Sequence, residues 1–121
     1  MIELRASIKD QAQERVVSSE EALDATFAEA SAEARARGSL NIIVLTAPNR
    51  DWLSIVVGGE ETVVGYNHGH GDPPYYASAG EVQTHDPVLT AYVGFKHRTE
   101  FPRRWVVPFA TGKQAAREFL A

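Results

Sequence analysis

Leu40-Asn41-Ile42-Ile43-Val44-Leu45-Thr46-Ala47-Pro48-Asn49-Arg50-Asp51-Trp52-Leu53-Ser54-Ile55-Val56-Val57-Gly58-Gly59 is the stretch on which the fold turns. Leu40 to Leu45 is apolar except for Asn41, the pattern of a strand buried on both faces. Ala47-Pro48-Asn49-Arg50 carries turn chemistry. Trp52 to Val57 reads as a second strand. Together with Thr62 to Tyr66 it flanks Gly58-Gly59-Glu60-Glu61, so a short hairpin is expected there.

On the N-terminal side, Ile2, Leu4, Ala6 and Ile8 alternate with polar residues and predict a strand over 2–8. A polar stretch, Lys9 to Arg15, separates it from a helix expected over about 19–37. Ser18 and Glu21 have the spacing of a capping box. Leu23, Phe27, Ala30 and Ala34 fall on one helical stripe, and Glu21, Asp24, Glu29 and Glu33 lie away from it. Arg35 and Arg37 suit the negative end of the helix dipole, and Gly38 suits the residue past the helix end.

On the C-terminal side, His68-Gly69-His70-Gly71-Asp72-Pro73-Pro74 reads as a loop, because two glycines and two prolines break any regular element. Tyr75 to Ser78 is a short strand and Val88 to Phe95 a longer one, rich in β-branched and aromatic residues. Lys96-His97-Arg98 reads as a polar turn. Arg104 to Val107 fits an edge strand between two prolines. Thr111 and Gln114 repeat the capping-box spacing and open a short closing helix with Ala115, Ala116, Phe119 and Leu120 facing inward. Such a helix is marginal alone and must dock to exist. The expectation is an α+β fold: a mostly antiparallel sheet of five to seven strands, with a long N-terminal and a short C-terminal helix packed on it.

The 121 residues are 44% hydrophobic and contain no cysteine. One domain over 1–121 is the expected content, burying roughly two-thirds of its unfolded surface. Disulfides and thiolate metal sites are excluded. No apolar run approaches the ~20 residues of a membrane span. The start, Met1-Ile2-Glu3-Leu4-Arg5, lacks the apolar run of a secretory signal. A cytoplasmic protein that does not engage membranes is expected. The formal net charge is −4. Residues 1–61 hold eleven of the sixteen carboxylates but six of the twelve Lys and Arg. That balance argues against direct nucleic-acid binding and for a basic partner.

Four constellations bear on chemistry. His68, His70 and Asp72 alternate and could ligate a transition metal, the basis of a small metal-dependent enzyme. His85 or His97 would complete such a site. Glycines at 69 and 71 and Pro73 favour a polar loop instead. His85-Asp86 with Ser78 or Ser54 could be assembled into a catalytic triad, but no nucleophile elbow is present and adjacent strand residues face opposite ways. Gly65, Gly69 and Gly71 open no helix, so they form no phosphate cradle. Lys96, His97, Arg98, Arg103 and Arg104 could serve a nucleic-acid accessory module, or simply guard a sheet edge. The sequence thus offers no catalytic residue and no cofactor. Tyr66, Tyr75, Tyr76 and Tyr92 cluster in the strand region, with His68, His70 and Asp72 among the first three. Tyrosine is enriched at protein interfaces, although burial in the core with a satisfied hydroxyl is the competing role.

From Trp52 to Leu120 the chain resembles the first-numbered (type one) immunity-protein family of bacterial polymorphic toxin systems. The matching pieces run in order: Val57-Gly58-Gly59, Val63-Val64-Gly65-Tyr66 and Tyr75-Tyr76-Ala77-Ser78-Ala79-Gly80. Ala91-Tyr92-Val93-Gly94, Glu100-Phe101-Pro102, Val107-Pro108 and Ala115-Ala116-Arg117-Glu118-Phe119-Leu120 follow. The resemblance implies a non-enzymatic antidote with an α+β fold that binds and neutralises a cognate toxin. Many members accompany nucleic-acid deaminases, which use a zinc-bound water and a glutamate on an extruded or single-stranded base. The expected partner is therefore a basic, zinc-dependent toxin domain whose active site is occluded. Of the carboxylates that would meet it, those near the loops flank the tyrosines and histidines. The expected contact set is Tyr66, His68, His70, Asp72, Tyr75, Tyr76, Glu81 and Asp86.

Overall fold

A computed structural model describes residues 2–7, 14–69, 76–79, 88–93 and 97–121. Its elements in chain order are β1 (Leu4–Ser7), β2 (Arg15–Val17), α1 (Glu20–Arg37), β3 (Asn41–Thr46), β4 (Trp52–Val57), β5 (Glu61–Thr62) and β6 (Val64–Asn67). Then come β7 (Tyr76–Ala77), β8 (Val88–Val93), β9 (His97–Pro102), a 3-10 turn (Arg103–Trp105), β10 (Val107–Pro108) and α2 (Phe109–Leu120). The architecture is α+β, with a long N-terminal and a shorter C-terminal helix. Among the described residues the main sheet has eight strands, and β5 and β10 form a separate two-stranded ladder.

The centre is the β3–β4 hairpin, in antiparallel register from Asn41↔Val57 to Thr46↔Trp52. Its two faces are both apolar and both covered. Ile43, Leu45, Leu53, Ile55 and Val57 point to the helices, where they meet Leu4 and Ala6 of β1, Leu23, Phe27 and Ala30 of α1, and Ala116 and Leu120 of α2. Ile42 and Val56 point the other way, onto Leu89 and Ala91 of β8 and Val106. Fully burying one such aliphatic side chain is worth about 1.5–3 kcal/mol, so the hairpin is the main apolar anchor of both layers.

Strand β3 serves two partners along one edge. Its C-terminal half pairs antiparallel with β1, and Asn41 and Ile42 at its start pair parallel with Tyr92 and Val93 of β8. The sheet forks there. The β8–β9 arm carries its apolar face over the side of the hairpin that the helices leave uncovered.

The expected apolar stripe of α1 is buried at all four positions, Leu23, Phe27, Ala30 and Ala34. Gly38 ends the helix in the left-handed region, at φ 71°, which costs a glycine nothing sterically. The N-cap is Ser19 rather than Ser18: its hydroxyl accepts the Ala22 N–H at 3.1 Å. The two helices meet through Phe27 and Phe109, edge to face at 5.8 Å. Asp24 on α1 also faces Lys113 and Arg117 on α2.

Five local expectations need correction. Arg15 is not the end of a polar stretch but the start of β2, which pairs with β1. The strand expected over Thr62 to Tyr66 is broken in two. The buried Thr62 hydroxyl accepts from Val56 N and donates to Val56 O, taking the place of a strand neighbour. Glu61 and Thr62 therefore pair with Pro108 and Val107, while Val64 to Asn67 pair with β4. His97 and Arg98 belong to β9, not to a turn. Arg103 to Trp105 form a 3-10 turn closed by Val106 N to Arg103 O, leaving only Val107 and Pro108 as strand. Finally, α2 begins at Phe109, two residues before Thr111; the Phe109 N–H donates to Glu60 O, so backbone rather than a threonine cap receives it. No helix among the described residues is long and apolar enough to cross a membrane.

Candidate functional site

The β4–β6–β7 end of the sheet collects the polar and aromatic groups that the core does not use. Tyr66 lies opposite Leu53 on β6 and packs against the helix-side core. Its hydroxyl donates to Asp51 Oδ2 at 2.6 Å. Asp51 stands one residue before β4, so its side chain reaches past the last rung, Trp52↔Asn67. The turn before it holds it there. Ala47 N donates to Asp51 O, Arg50 N donates to Ala47 O, and Arg50 adopts φ 74°. Asn49 Oδ1 accepts the Asp51 N–H at 2.9 Å, an Asx turn.

The second carboxylate oxygen, Oδ1, accepts the Gly69 N–H at 2.9 Å. Gly69 comes so close to the 47–50 turn that a Cβ would stand 2.7 Å from both Asn49 O and Arg50 C. Only glycine fits without moving backbone. The Tyr66 hydroxyl, then the Gly69 N–H, hold the Asp51 carboxyl below the usual carboxylate range. The same bond to Asp51, with burial second, raises the Tyr66 phenol above its usual value. The latch is therefore an ionised carboxylate holding a neutral phenol, a charge-assisted bond of the stronger kind.

Around Tyr66 the rings gather. His68 stands edge to face at 5.5 Å, Tyr76 at 6.0 Å and Phe119 of α2 at 6.1 Å. His68 and Tyr76 are 6.2 Å apart. All four distances lie in the attractive range for aromatic pairs. Tyr66 and Phe119 root the group in the core, while Tyr76 is 53% exposed. Beside the rings lies a groove of about 250 Å³, walled by Val64, Tyr66 and Tyr76 on the sheet and by Val107, Thr111 and Ala115 opposite. Ser78 fixes the sheet side of this groove. It accepts from Val64 N, and its hydroxyl donates to Trp105 O.

Three of the eight expected contact residues, Tyr66, His68 and Tyr76, thus come together in one cluster. His70, Asp72, Tyr75, Glu81 and Asp86 lie outside the described residues, as does His85. Among the described residues no three metal-capable side chains converge. The Ser78 hydroxyl, weighed as a nucleophile, is engaged with the Trp105 carbonyl. In the basic cluster, Arg98 pairs with Glu100 and Arg103 with Glu61, and Arg104 lies over the Trp105 ring. On α1, Glu29 pairs with Arg15, Glu33 with Arg37 and Asp24 with the α2 cations.

Sequence reasoning missed Asp51, Gly69, Phe119 and the groove. Asn49-x-Asp51 is a legible Asx signal, but nothing local announces that its carboxylate holds Tyr66 and Gly69, fifteen and eighteen residues on. Comparison with known proteins adds one match: the sequence model of the family described as Immunity protein Imm1 covers residues 11–121. No curated protein and no solved structure matches the chain.

Proposed function

The chain belongs to the Imm1 family of immunity proteins, proteins that act against a toxin, and from that premise we propose that it neutralises a cognate polymorphic toxin with nucleic-acid deaminase chemistry by covering its active site. The family match over 11–121 carries the class of function. The Tyr66–His68–Tyr76 cluster carries the choice of surface, because it joins a rigid base to an exposed rim. Tyrosine offers large amphipathic contact area, and the few anchors that dominate binding energy are enriched in it. The Asp51 latch and the Phe119 contact hold Tyr66 in place before binding, which lowers the entropy lost on association.

A toxin that grips nucleic acid presents a basic cleft. The net charge of −4 gives complementary potential, which speeds encounter and aligns the partners. A stable complex buries roughly 1,600 Å² in total. The cluster alone is smaller than one partner's share, so the flanking carboxylates Asp72, Glu81 and Asp86 and the loop residues His70 and Tyr75 complete the proposed contact surface. The protein needs no metal or cofactor of its own for this task. It acts in the cytoplasm, where the toxin's substrate resides.

The toxin encoded beside this chain supplies the test. Its domain is assayed for deamination of single-stranded DNA or RNA while the protein is titrated in. Activity should fall linearly and end near one equivalent. Full activity at a large excess of the protein contradicts the proposal, and inhibition of a toxin with no deaminase activity overturns the chemistry while keeping the antidote role.

A further inference from the structure

Strand β7 is an outer strand of the main sheet among the described residues. Ser78 N donates to Val64 O on β6. Backbone groups alternate along a strand, so the N–H and C=O of Ala77 point away from β6. An outward-facing backbone N–H and C=O at a sheet edge are a template for another extended segment. Ala77 is exposed and its side chain is small, so among the described residues that edge is open to approach.

The groove lies on the matching face. Tyr76 stands opposite Tyr66 across the β6–β7 ladder, so both rings are on the helix side. A strand laid on β7, roughly 4.8 Å away, would send alternate side chains to that same side. There it would find the cavity of about 250 Å³ between Tyr76 and Ala115. Its volume falls short of the roughly 300–1,000 Å³ of small-molecule sites and suits one large side chain. Beside the rings the remaining walls include Val64 on the sheet and Val107 and Ala115 opposite, all aliphatic. Glu118 sits three residues beyond Ala115 and seven beyond Thr111, on the same stripe of α2, and is exposed.

We propose that the β7 edge and the adjoining groove receive an extended segment of the toxin, joined to Ala77 by backbone hydrogen bonds and anchored by one large apolar side chain between Tyr76 and Ala115. The segment carries Lys or Arg beside its anchor, matching Glu118 and the net charge of −4. This rests on the reading that a toxin is the partner.

The test measures the affinity of the full chain for the toxin domain encoded beside it, by titration calorimetry. Ala115→Phe fills the groove from the helix side and leaves β7 intact. Ala77→Pro removes the outward N–H at an edge position, where proline is tolerated. Each should weaken binding by about tenfold or more with a cooperative melt retained. Should Ala115→Phe lose that melt, Thr111→Phe fills the same groove from an exposed position and is read in the same way. Wild-type protein that does not bind the toxin overturns this inference together with the proposed function. Wild-type binding that all variants preserve overturns this inference alone. A wild-type dimer that Ala115→Phe dissociates, with toxin affinity unchanged, gives the groove to a second copy and likewise overturns it.

Discussion

Two outer strands of the forked main sheet among the described residues, β2 and β7, look alike by exposure and differ in everything beneath. At one end, β2 presents Val16 at 49% exposure; at the other, β7 presents Tyr76 at 53%. Val16 stands alone. Its neighbour Arg15 pairs with Glu29 of α1, so a charge guards a short edge. Tyr76 instead stands on Tyr66 and His68, with Phe119 beneath and an open groove beside it. A single exposed apolar residue is ordinary on a protein surface. What distinguishes the proposed binding edge is exposure backed by a ring cluster and a cavity.

Both ends rest on one core, and removing part of it gives the largest expected effect. Phe27 is buried against Phe109 and the helix face of the central hairpin. Phe27→Ala should cost about 3–5 kcal/mol in denaturant unfolding. A loss under about 1 kcal/mol would mean that the ends do not share this support.

The ends separate when binding is measured. Tyr76→Ala should weaken toxin affinity by about 1 kcal/mol or more without unfolding the protein, whereas Val16→Thr should leave the affinity unchanged. Equal losses from both substitutions would erase the distinction. Gly69→Ala tests the latch without touching a ring. The added Cβ must displace the 47–50 backbone, so toxin affinity should fall, by less than for Tyr76→Ala.

Titration sharpens the same contrast. The Asp51 carboxyl is held below its usual range, so its contribution is full above the ordinary value of about 3.9 and is lost as pH falls through the lowered one. The Tyr66 phenol is raised, so its contribution is full below the ordinary value of about 10 and is lost as pH rises through the raised one. In thermal melts the stability difference between wild type and Tyr66→Phe should be flat from about pH 5 to 9 and shrink beyond both limits. A difference that changes across neutral pH would place another group in the latch. The smallest effect belongs to the β2 end. The Arg15 and Glu29 side chains are 40% and 60% exposed, so Arg15→Ala should cost between about 0 and 1 kcal/mol.

What was legible in the sequence follows the range of the forces involved. The α1 stripe, the strands β3 and β4 and the turn between them are local patterns of burial and turn chemistry, and they read through directly. Strand β2 has three residues, and β5 and β10 have two each. Such pieces exist only because a distant partner supplies their hydrogen bonds, and no periodicity announces them. The division of β5 from β6 depends on one buried hydroxyl, that of Thr62, bonding back to Val56. At the site, Tyr66, His68 and Tyr76 are legible as a local concentration of tyrosine and histidine. Their assembly is not, because Asp51, Gly69 and Phe119 reach them across the fold.

Amide hydrogen exchange on the full chain, with and without the toxin domain encoded beside it, tests the central claim most directly. Protection on binding should concentrate in 64–69 and 76–78 and be absent from 15–17. Protection at 15–17 with none at 76–78 would contradict the account.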